Sequence, residues 1–353
     1  MDLLINDLLY AVVEQKASDL HISTGMPVMM RLDGDIKPLP LSSLKHKNIL
    51  SDNLSNEMAE SLIFELLDDE QKKAFKQNIE LDFAYTHSDK MRFRVSVFKQ
   101  NHGISAVLRL INHQILTSQQ IGLQQAIKKI STLKKGLVLV TGSSGSGKST
   151  TLASIIDYIN QTRQAHIITI EDPIEFIHKP KQCLVSQREV KRHTQGFKNA
   201  LRAALRADPD VILIGELRDT QTIRLAITAA ETGHLVLATL HTNSATKTIN
   251  RMIDAFDTHE KATISAMLAD SLQAVVSQTL IKQKNGGRVA AFEVMFANPA
   301  ICNLIRHNKT AQMYSAIQTG ASDGMITMEK SLQNLMATGE ILAEASQYHS
   351  NIH

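Results

Sequence analysis

Four short apolar runs, each followed by a stretch of helical periodicity, dominate the second two-thirds of the chain. They cover residues 137–141, 167–170, 211–214 and 235–239 and consist mainly of Val, Ile and Leu. Strands that are apolar at nearly every position are buried on both faces, which is typical of a parallel sheet covered by helices. After about residue 257 the pattern is mostly helical, with one more predicted strand over 289–294. We therefore expect an α/β domain with a mostly parallel sheet.

The first third of the chain has a mixed pattern. Apolar spacing predicts a helix over residues 3–15 and a heavily charged helix over 58–75, whereas alternation predicts a strand over 18–23. The pair Asp33-Gly34, flanked by apolar residues, predicts a tight hairpin turn. This part is expected to be an α+β module.

A second hairpin is predicted from strands over 91–98 and 104–111. With its turn centred on residues 101–102, Arg94 lies opposite Arg109. Both arginines then lie on the face away from three apolar side chains, Phe93, Val95 and Val97. Like charges directly opposite each other are mildly destabilising, so the pair favours an anion nearby. An ordinary solvated sheet face remains the alternative.

Composition excludes several classes of protein. Of 353 residues, 43% are hydrophobic and 21% charged, which excludes a disordered chain. Two cysteines, Cys183 and Cys302, are too few for a disulfide framework or a four-cysteine zinc site. The apolar runs are far shorter than the roughly 20 residues that span a bilayer. Because acids occupy the start of the chain, where a signal peptide is basic, a cytoplasmic protein without direct membrane insertion is expected.

The formal charge of +3 is too small to indicate nucleic acid, and it averages two unlike parts. Residues 1–111 carry 13 basic and 16 acidic side chains, whereas residues 112–353 carry 25 and 19. The basic run at 188–193, with Lys198, Arg202 and Arg206 nearby, has only Phe197 as an aromatic neighbour, so we interpret this patch as a solvated helix face or a subunit contact.

A phosphate-binding loop is the strongest motif in the chain. Residues 142–149 fit the pattern G-x-x-x-x-G-K-[ST], with a strand predicted before the loop and a helix over 151–159 after it. Loop N–H groups and the helix N-terminus face phosphate oxygens, Lys148 contacts the β- and γ-phosphates, and the Ser149 hydroxyl can bind Mg²⁺. The predicted nucleotide-binding residues are Gly142, Ser143, Ser144, Gly145, Ser146, Gly147, Lys148, Ser149 and Thr150.

Acidic residues follow two of the buried strands. Glu216 comes just after the run 211–214, in the position of a Walker B acid that positions Mg²⁺ or water. Glu171, Asp172 and Glu175 follow the run 167–170, and Glu171 is the candidate general base. The alternatives are that Glu216 only flanks a helix, that the second cluster is loop chemistry before a proline, and that Glu175 is solvated.

Two histidines flank the last apolar run. His241 follows it and could contact the γ-phosphate, whereas His234 precedes it and should sit at the other end of the sheet. A hydrogen-bonded structural role is the alternative for both. The spacing of the other histidines fits no metal site, so no metal besides Mg²⁺ is predicted.

Together these motifs resemble the Walker A, Asp box, Walker B and His box of the secretion ATPases, the motors of type II secretion and type IV pili. The matching segments are 142–149, 170–176, 215–219 and 232–243. The whole chain is similar to the pilus retraction ATPases of that superfamily, including at residues 17–21, 187–190 and 311–320. Assembly-type members carry a tetracysteine zinc motif, for which this chain lacks the cysteines.

The resemblance implies an architecture, a cofactor and partners. It implies a PAS-like domain over 1–111, a linker over 112–120 and a RecA-like ATPase domain with C-terminal helices over 121–353. It also implies a homo-hexamer that uses ATP and Mg²⁺, lies at the inner-membrane face and acts on a platform protein, with a paralogous accessory ATPase as a further partner. No nucleic acid is expected.

The resemblance also bears on single residues. It implies that Arg94 and Arg109 are arginine fingers, and that His234 is important as well as His241. The chain departs from the family pattern at His102, Cys302 and His307. The predicted function is a hexameric ATP-hydrolysing motor for pilus retraction and twitching motility. The alternatives are an accessory pilus ATPase subunit or a RecA-type nucleic-acid motor.

Overall fold

The computed structural model describes residues 3–32, 34–40, 53–89, 91–111 and 114–342. The chain divides into two compact units, Met1–His113 and Gln114–His353. Within the described ranges, no helix is both long enough and apolar enough to cross a membrane.

In its described residues the first unit is a six-stranded antiparallel sheet with three α-helices, in the strand order β3-β2-β1-β6-β5-β4. The elements are α1 (Leu3–Glu14), β1 (Asp19–Ser23), β2 (Met29–Leu32), β3 (Asp35–Pro38), α2 (Asn56–Phe64), α3 (Asp69–Asn78), β4 (Glu80–Thr86), β5 (Arg92–Gln100) and β6 (Gly103–Ile111). Its core lies between the sheet and the apolar faces of the helices.

The single helix predicted over 58–75 is wrong, because the chain forms α2 and α3 there. Asp68 separates the two helices, because it is the N-cap residue of α3. Its side chain accepts from the backbone N–H of Gln71, while the Gln71 side chain accepts from the backbone N–H of Asp68. This reciprocal capping box marks a helix start that apolar periodicity does not detect.

The predicted second hairpin is confirmed in register. Arg94 pairs with Arg109 across β5 and β6. Phe93, Val95 and Val97 are fully buried, and both arginines lie on the opposite, exposed face. The strand β4, which pairs with β5, was not predicted, although Leu81, Phe83 and Tyr85 alternate along it with more polar residues.

The second unit is a seven-stranded mixed sheet in the order β13-β12-β7-β11-β10-β8-β9, parallel except for β13. Its strands are β7 (Gly136–Thr141), β8 (His166–Glu171), β9 (Leu184–Glu189), β10 (Val211–Ile214), β11 (Leu235–Leu240), β12 (Leu272–Lys282) and β13 (Arg288–Phe296). Its helices are α4 (Ser118–Ile121), α5 (Gln124–Ser131), α6 (Lys148–Thr162), α7 (Phe197–Ala204), α8 (Thr220–Glu231), α9 (Ala245–Asp254), α10 (Thr258–Ser271), α11 (Pro299–Arg306), α12 (Met313–Thr319) and α13 (Met328–Ala337).

The four apolar runs form β7, β8, β10 and β11, as predicted, and three of these strands are buried at every position. The fold class is therefore confirmed as α/β with a mostly parallel sheet. Two strands were not predicted. β9 is a polar strand at the sheet edge, and β12 follows α10 directly, so no turn residue separates them in the sequence.

Part of the predicted linker over 112–120 is helical. Thr117 and Gln120 form a capping box at the start of α4, which packs on α6. Residues 112 and 113 lie outside the described ranges.

Candidate functional site

Four parallel strands end at one edge of the sheet, where the carboxyl ends of strands in such folds form ligand sites. The phosphate-binding loop follows β7, Glu171 ends β8, Glu216 follows β10, and His241 follows β11. The topology thus brings four separately predicted features to one edge.

The loop between β7 and α6 packs against β12. An added Cβ at Gly142 would lie 2.3 Å from the Gln278 carbonyl oxygen and 2.5 Å from Ser146 Oγ, so this position requires glycine. Gly147 has φ +88° and starts α6. The Gln278 side chain is 3% exposed and donates through Nε2 to the Ser146 carbonyl at 2.7 Å. Gln278 therefore holds the loop from the neighbouring strand.

Lys148 is the first residue of α6, and its side chain contacts the loop. Its ammonium group donates to the carbonyls of Gly142 at 2.8 Å and Ser143 at 2.9 Å. Burial lowers the pKa of Lys148, and the carboxylates of Glu216 and Glu175 act in the opposite direction. Both acids therefore lie close enough to Lys148 to influence it electrostatically.

The remaining loop residues differ in exposure. Ser143, Ser144 and Gly145 are exposed, and Gly145 has open space around it, whereas Ser149 and Thr150 lie half-buried in the first turn of α6. The exposed peptide groups and the α6 N-terminus can face a ligand's phosphates.

Glu216 is held between two cationic or polar side chains. Its Oε2 lies 2.8 Å from an Arg218 guanidinium nitrogen, and its Oε1 lies 3.4 Å from His241 Nε2. The hydrogen bond to Glu216 raises the pKa of Arg218. Asp219, which the sequence places beside them, instead caps α8 by accepting from the backbone N–H of Thr222 at 2.8 Å.

The backbone on either side of Glu216 is fixed by neighbouring strands. The N–H of Gly215 donates to the Ile170 carbonyl at 2.8 Å, and the N–H of Leu217 donates to the Thr239 carbonyl at 3.0 Å. An added Cβ at Gly215 would lie 3.2 Å from that Ile170 oxygen, so glycine permits this close approach. Glu216 is therefore presented from a rigid turn.

Glu171 is half-buried at the end of β8. Its Oε1 accepts from Thr169 Oγ1 at 2.6 Å and from Gln187 Nε2 at 3.3 Å. Burial raises the pKa of Glu171 to about 7, with a further rise from the charge of Glu175, while the hydrogen bonds oppose the shift. Glu175 is half-buried and acts electrostatically on both Glu171 and Lys148.

The two predicted histidines lie at opposite ends of β11. His241 contacts Glu216, but His234 precedes the strand and its Nδ1 lies 3.0 Å from the Ala229 carbonyl. Seven residues of extended chain separate them by about 20 Å. The structure therefore brings His241, and not His234, to the chain's own phosphate-binding loop.

A buried chain of hydroxyl groups lies behind the loop. Thr141 Oγ1 is 2.8 Å from Ser277 Oγ, Thr248 Oγ1 donates toward Thr141 at 3.4 Å, and Thr242 Oγ1 is 2.6 Å from Thr248 Oγ1. It links the segment after His241 to the strands that carry the loop. The sequence offered no signal for this network, because its members lie on four separate segments.

The predicted arginine pair lies in the first unit. Arg94 is exposed, and Arg109 Nε donates to the buried Asp19 carboxylate at 2.8 Å. Burial favours a raised pKa at Asp19, but the hydrogen bonds from Ser18 and Arg109 outweigh it and hold that pKa below its ordinary value. Asp19 thus fixes Arg109, and sequence reasoning missed this partner.

The predicted helix face is confirmed for Lys198 and Arg202 on α7, where Arg202 is exposed, but the run 188–193 itself is not helical; the subunit contact stays a prediction. Arg188 and Glu189 end β9, and the following residues turn tightly, so that the Arg188 guanidinium donates to the His193 carbonyl at 3.2 Å. The backbone N–H of Glu189 donates to His193 Nδ1 at 2.9 Å.

Three positions depart from the family pattern. His102 lies in the β5–β6 turn, where its backbone N–H donates to Gln100 Oε1. Cys302 and His307 lie on or just after α11, and His307 Nδ1 is 2.9 Å from the Asn303 carbonyl.

The residues at this edge suit a nucleoside triphosphate with a divalent ion. The glycines leave a cradle at the start of α6, Lys148 supplies a cation, and the Ser149 hydroxyl and the Glu216 carboxylate are oxygen donors of the kind Mg²⁺ prefers.

Comparisons with known proteins show the family of the chain. The profile of the Type II/IV secretion system protein family matches residues 1–345. This chain belongs to that family. It is 53% identical over 348 residues to the type IV pilus retraction ATPase PilT of Pseudomonas aeruginosa, covering 99% of this chain and 98% of that protein. It is 48% identical over 336 residues to a twitching motility protein of Neisseria gonorrhoeae, covering 95% and 87%.

Two further comparisons bear on the fold and on the accessory alternative. A crystal structure of the pilus retraction motor PilT with bound ADP superimposes with a TM-score of 0.87 at 42% identity, covering 97% of this chain and 95% of that one. The type IV pilus ATPase PilU of P. aeruginosa is 37% identical, covering 98% and 88%. The second unit therefore has a RecA-like P-loop fold, and the chain is an ATPase of the secretion family.

Proposed function

We propose that this chain is the subunit of a homo-hexameric motor that uses ATP hydrolysis to withdraw type IV pili and so drives twitching motility. The observation that carries the proposal is the edge where Lys148, Glu216 and His241 meet in a chain that matches a retraction ATPase along its whole length. The greater identity to PilT than to PilU disfavours the accessory-subunit alternative.

In the proposed reaction the loop N–H groups and Lys148 bind the phosphates. Ser149 and Glu216 would hold Mg²⁺, which when bound would supply positive charge against the negative charge that develops in phosphoryl transfer. Glu171 accepts a proton from the attacking water, since a group with a pKa of about 7 is suited to general-base catalysis near neutral pH. His241, beside Glu216, senses the γ-phosphate end of the site.

Arg94 and Arg109 are proposed as arginine fingers that offset charge on the phosphates. Asp19 supports this role for Arg109, because a guanidinium with a fixed Nε keeps its remaining N–H groups pre-oriented. The proposed role of His234 has no support from its position at the far end of β11.

The proposed site of action is the inner-membrane face, where the hexamer would transmit force to the membrane platform protein of the pilus machine, with a paralogous accessory ATPase as a further partner. A nucleic-acid motor predicts that single-stranded DNA stimulates hydrolysis and that high salt abolishes the stimulation. Under our proposal, DNA leaves the rate unchanged.

Two experiments test this function. In a hydrolysis assay, Lys148→Ala and Glu216→Ala should nearly abolish turnover, whereas the exposed-residue controls Lys134→Ala and Glu231→Ala should not. Rates within tenfold of the parent for either site variant would contradict the site.

In cells, deletion of the gene should leave them hyperpiliated and non-twitching, with rescue by the parent and not by Lys148→Ala. Unchanged pili in the deletion strain would contradict a retraction role even if the enzyme hydrolyses ATP.

A further inference from the structure

The carboxylate of Glu171 is bound from two strands at a single oxygen. Thr169 lies two residues earlier on β8, so its side chain is on the same face of the strand, and it is fully buried. Gln187 lies on β9 directly beside Thr169 in the parallel register. Both donate to Oε1 of Glu171, at 2.6 Å and 3.3 Å.

The Gln187 amide has a defined orientation, because each end has a partner of only one kind. Its Oε1 accepts from the backbone N–H of His178 at 2.8 Å, so this end must be the carbonyl. Its Nε2 donates to the Phe176 carbonyl at 2.9 Å as well as to Glu171. Gln187 thus ties the loop that follows β8 to the carboxylate at the end of β8.

We propose that Thr169 and Gln187 are positioning residues that hold Glu171 by Oε1 and keep its carboxylate ready to accept the proton of the attacking water. The inference rests on the proposed role of Glu171 as the general base. Neither residue touches the reacting atoms, and both act through Glu171.

The electrostatic surroundings agree with this role. Burial opposes ionisation of Glu171, and the two donors are the principal side-chain interactions that favour the carboxylate. Several titratable groups lie on the segments that pack around Glu171 or on those that Glu175 also influences. They are Lys148, Glu175, His178, Glu189, Lys198 and Glu216. Among these, Glu175 acts on Glu171, and it raises the pKa further. Burial lowers the pKa of His178 to about 4, so His178 is neutral where the enzyme works.

Removing either donor therefore raises the pKa of Glu171, and hydrolysis requires the deprotonated form. The expected signature is an upward shift in the pH at which activity is half-lost on acidification. A hydrogen bond to a charged group predicts a shift of about one pH unit. A purely structural defect lowers the rate at every pH without moving this midpoint.

The test is single-turnover ATP hydrolysis by the full chain from about pH 5 to about pH 9, so that product release does not mask chemistry. Thr169→Val keeps the side-chain shape and removes the donor, and Thr169→Ser is the matched control that keeps the hydroxyl. Gln187→Glu keeps the acceptor for His178 and replaces the donor by a second carboxylate, whose charge adds to the rise in the pKa of Glu171, so Thr169→Val alone isolates the loss of a donor. We expect a midpoint near 7 for the parent and for Thr169→Ser, and a higher midpoint with a rate that recovers in alkali for the other two.

The possible failures are distinguishable. If Glu171→Gln retains the parent rate, the general-base role itself is wrong. If Glu171→Gln is inactive but Thr169→Val and Gln187→Glu keep the parent midpoint, only the positioning role is overturned. ADP binding by each variant reports whether it has folded, and Gln187→Glu serves as the second variant if Thr169→Val fails to bind.

Discussion

Gln278 provides a test of how the phosphate-binding loop is organised. Replacing it with leucine removes the 2.7 Å hydrogen bond from Nε2 to the Ser146 carbonyl while keeping a side chain of similar length. The loop backbone then has to be ordered when the ligand binds, which costs about 1–2 kcal/mol for each residue that the bond had fixed. Since 1.4 kcal/mol corresponds to a tenfold change, Gln278→Leu should weaken ADP binding by about tenfold.

Stability should change less than affinity. The variant loses one buried hydrogen bond, worth about 1 kcal/mol. It also removes Gln278 Oε1, a buried atom that has no hydrogen-bond partner in the described part of the chain, and this offsets part of the loss. We therefore expect a small shift in Tm with a large shift in Kd.

Fluorescence titration with a labelled ADP analogue measures the affinity, and thermal unfolding without nucleotide measures the stability. Gln273→Leu is the matched control, because it lies on the same strand, β12, but beside Gly136 at the other end of β7. An unchanged Kd for Gln278→Leu, or an equal loss in both variants, would refute the argument that this side chain pre-organises the loop.

Three further predictions concern local structure. Ile79 follows the last residue of α3 with φ +58°, a conformation that favours glycine, and its side chain is 56% exposed. Ile79→Gly should therefore raise the free energy of unfolding by about 0.5–1 kcal/mol, whereas the control Ile36→Gly, at an exposed strand position, should lower it. Asp219→Ala removes the α8 cap and should lower thermal stability by about 1 kcal/mol; an unchanged Tm would contradict the cap. Asp19→Asn should lower the free energy of unfolding by about 1 kcal/mol near neutral pH. The loss is small because Arg109 is largely exposed and solvent screens its interaction with Asp19. Because folding lowers the pKa of Asp19, the stabilisation by this carboxylate is present above about pH 4 and is lost in stronger acid. Denaturation curves of parent and variant should therefore converge in strong acid. A stability difference that stays constant with pH would contradict this role of Asp19.

The Asp19 variant also tests the arginine-finger proposal. If the bond orients Arg109 for phosphate contact, Asp19→Asn should lower kcat while leaving ADP affinity unchanged. If Arg109 only stabilises the first unit, the loss appears in thermal unfolding and turnover stays at the parent level.

The sequence by itself determined the elements and motifs whose signals are local. Nearly continuous apolar runs predicted β7, β8, β10 and β11, because a strand covered on both faces has few polar positions. The loop motif predicted the start of α6, and the hairpin pattern predicted the pairing of Arg94 with Arg109. Each of these depends on residues that are neighbours in the chain or on one pair of strands.

Only the tertiary structure decided which distant side chains complete the site. Gln278 holds the loop because β12, a strand without its own sequence signal, lies beside β7. Gln187 reaches Glu171 from an edge strand that is too polar to be recognised by its pattern. The position of His234, by contrast, followed from the sequence, since it precedes β11 and an extended strand places it about 20 Å from His241. Local patterns indicate which residues are buried, whereas hydrogen bonds between separate segments depend on which strands are neighbours in the sheet.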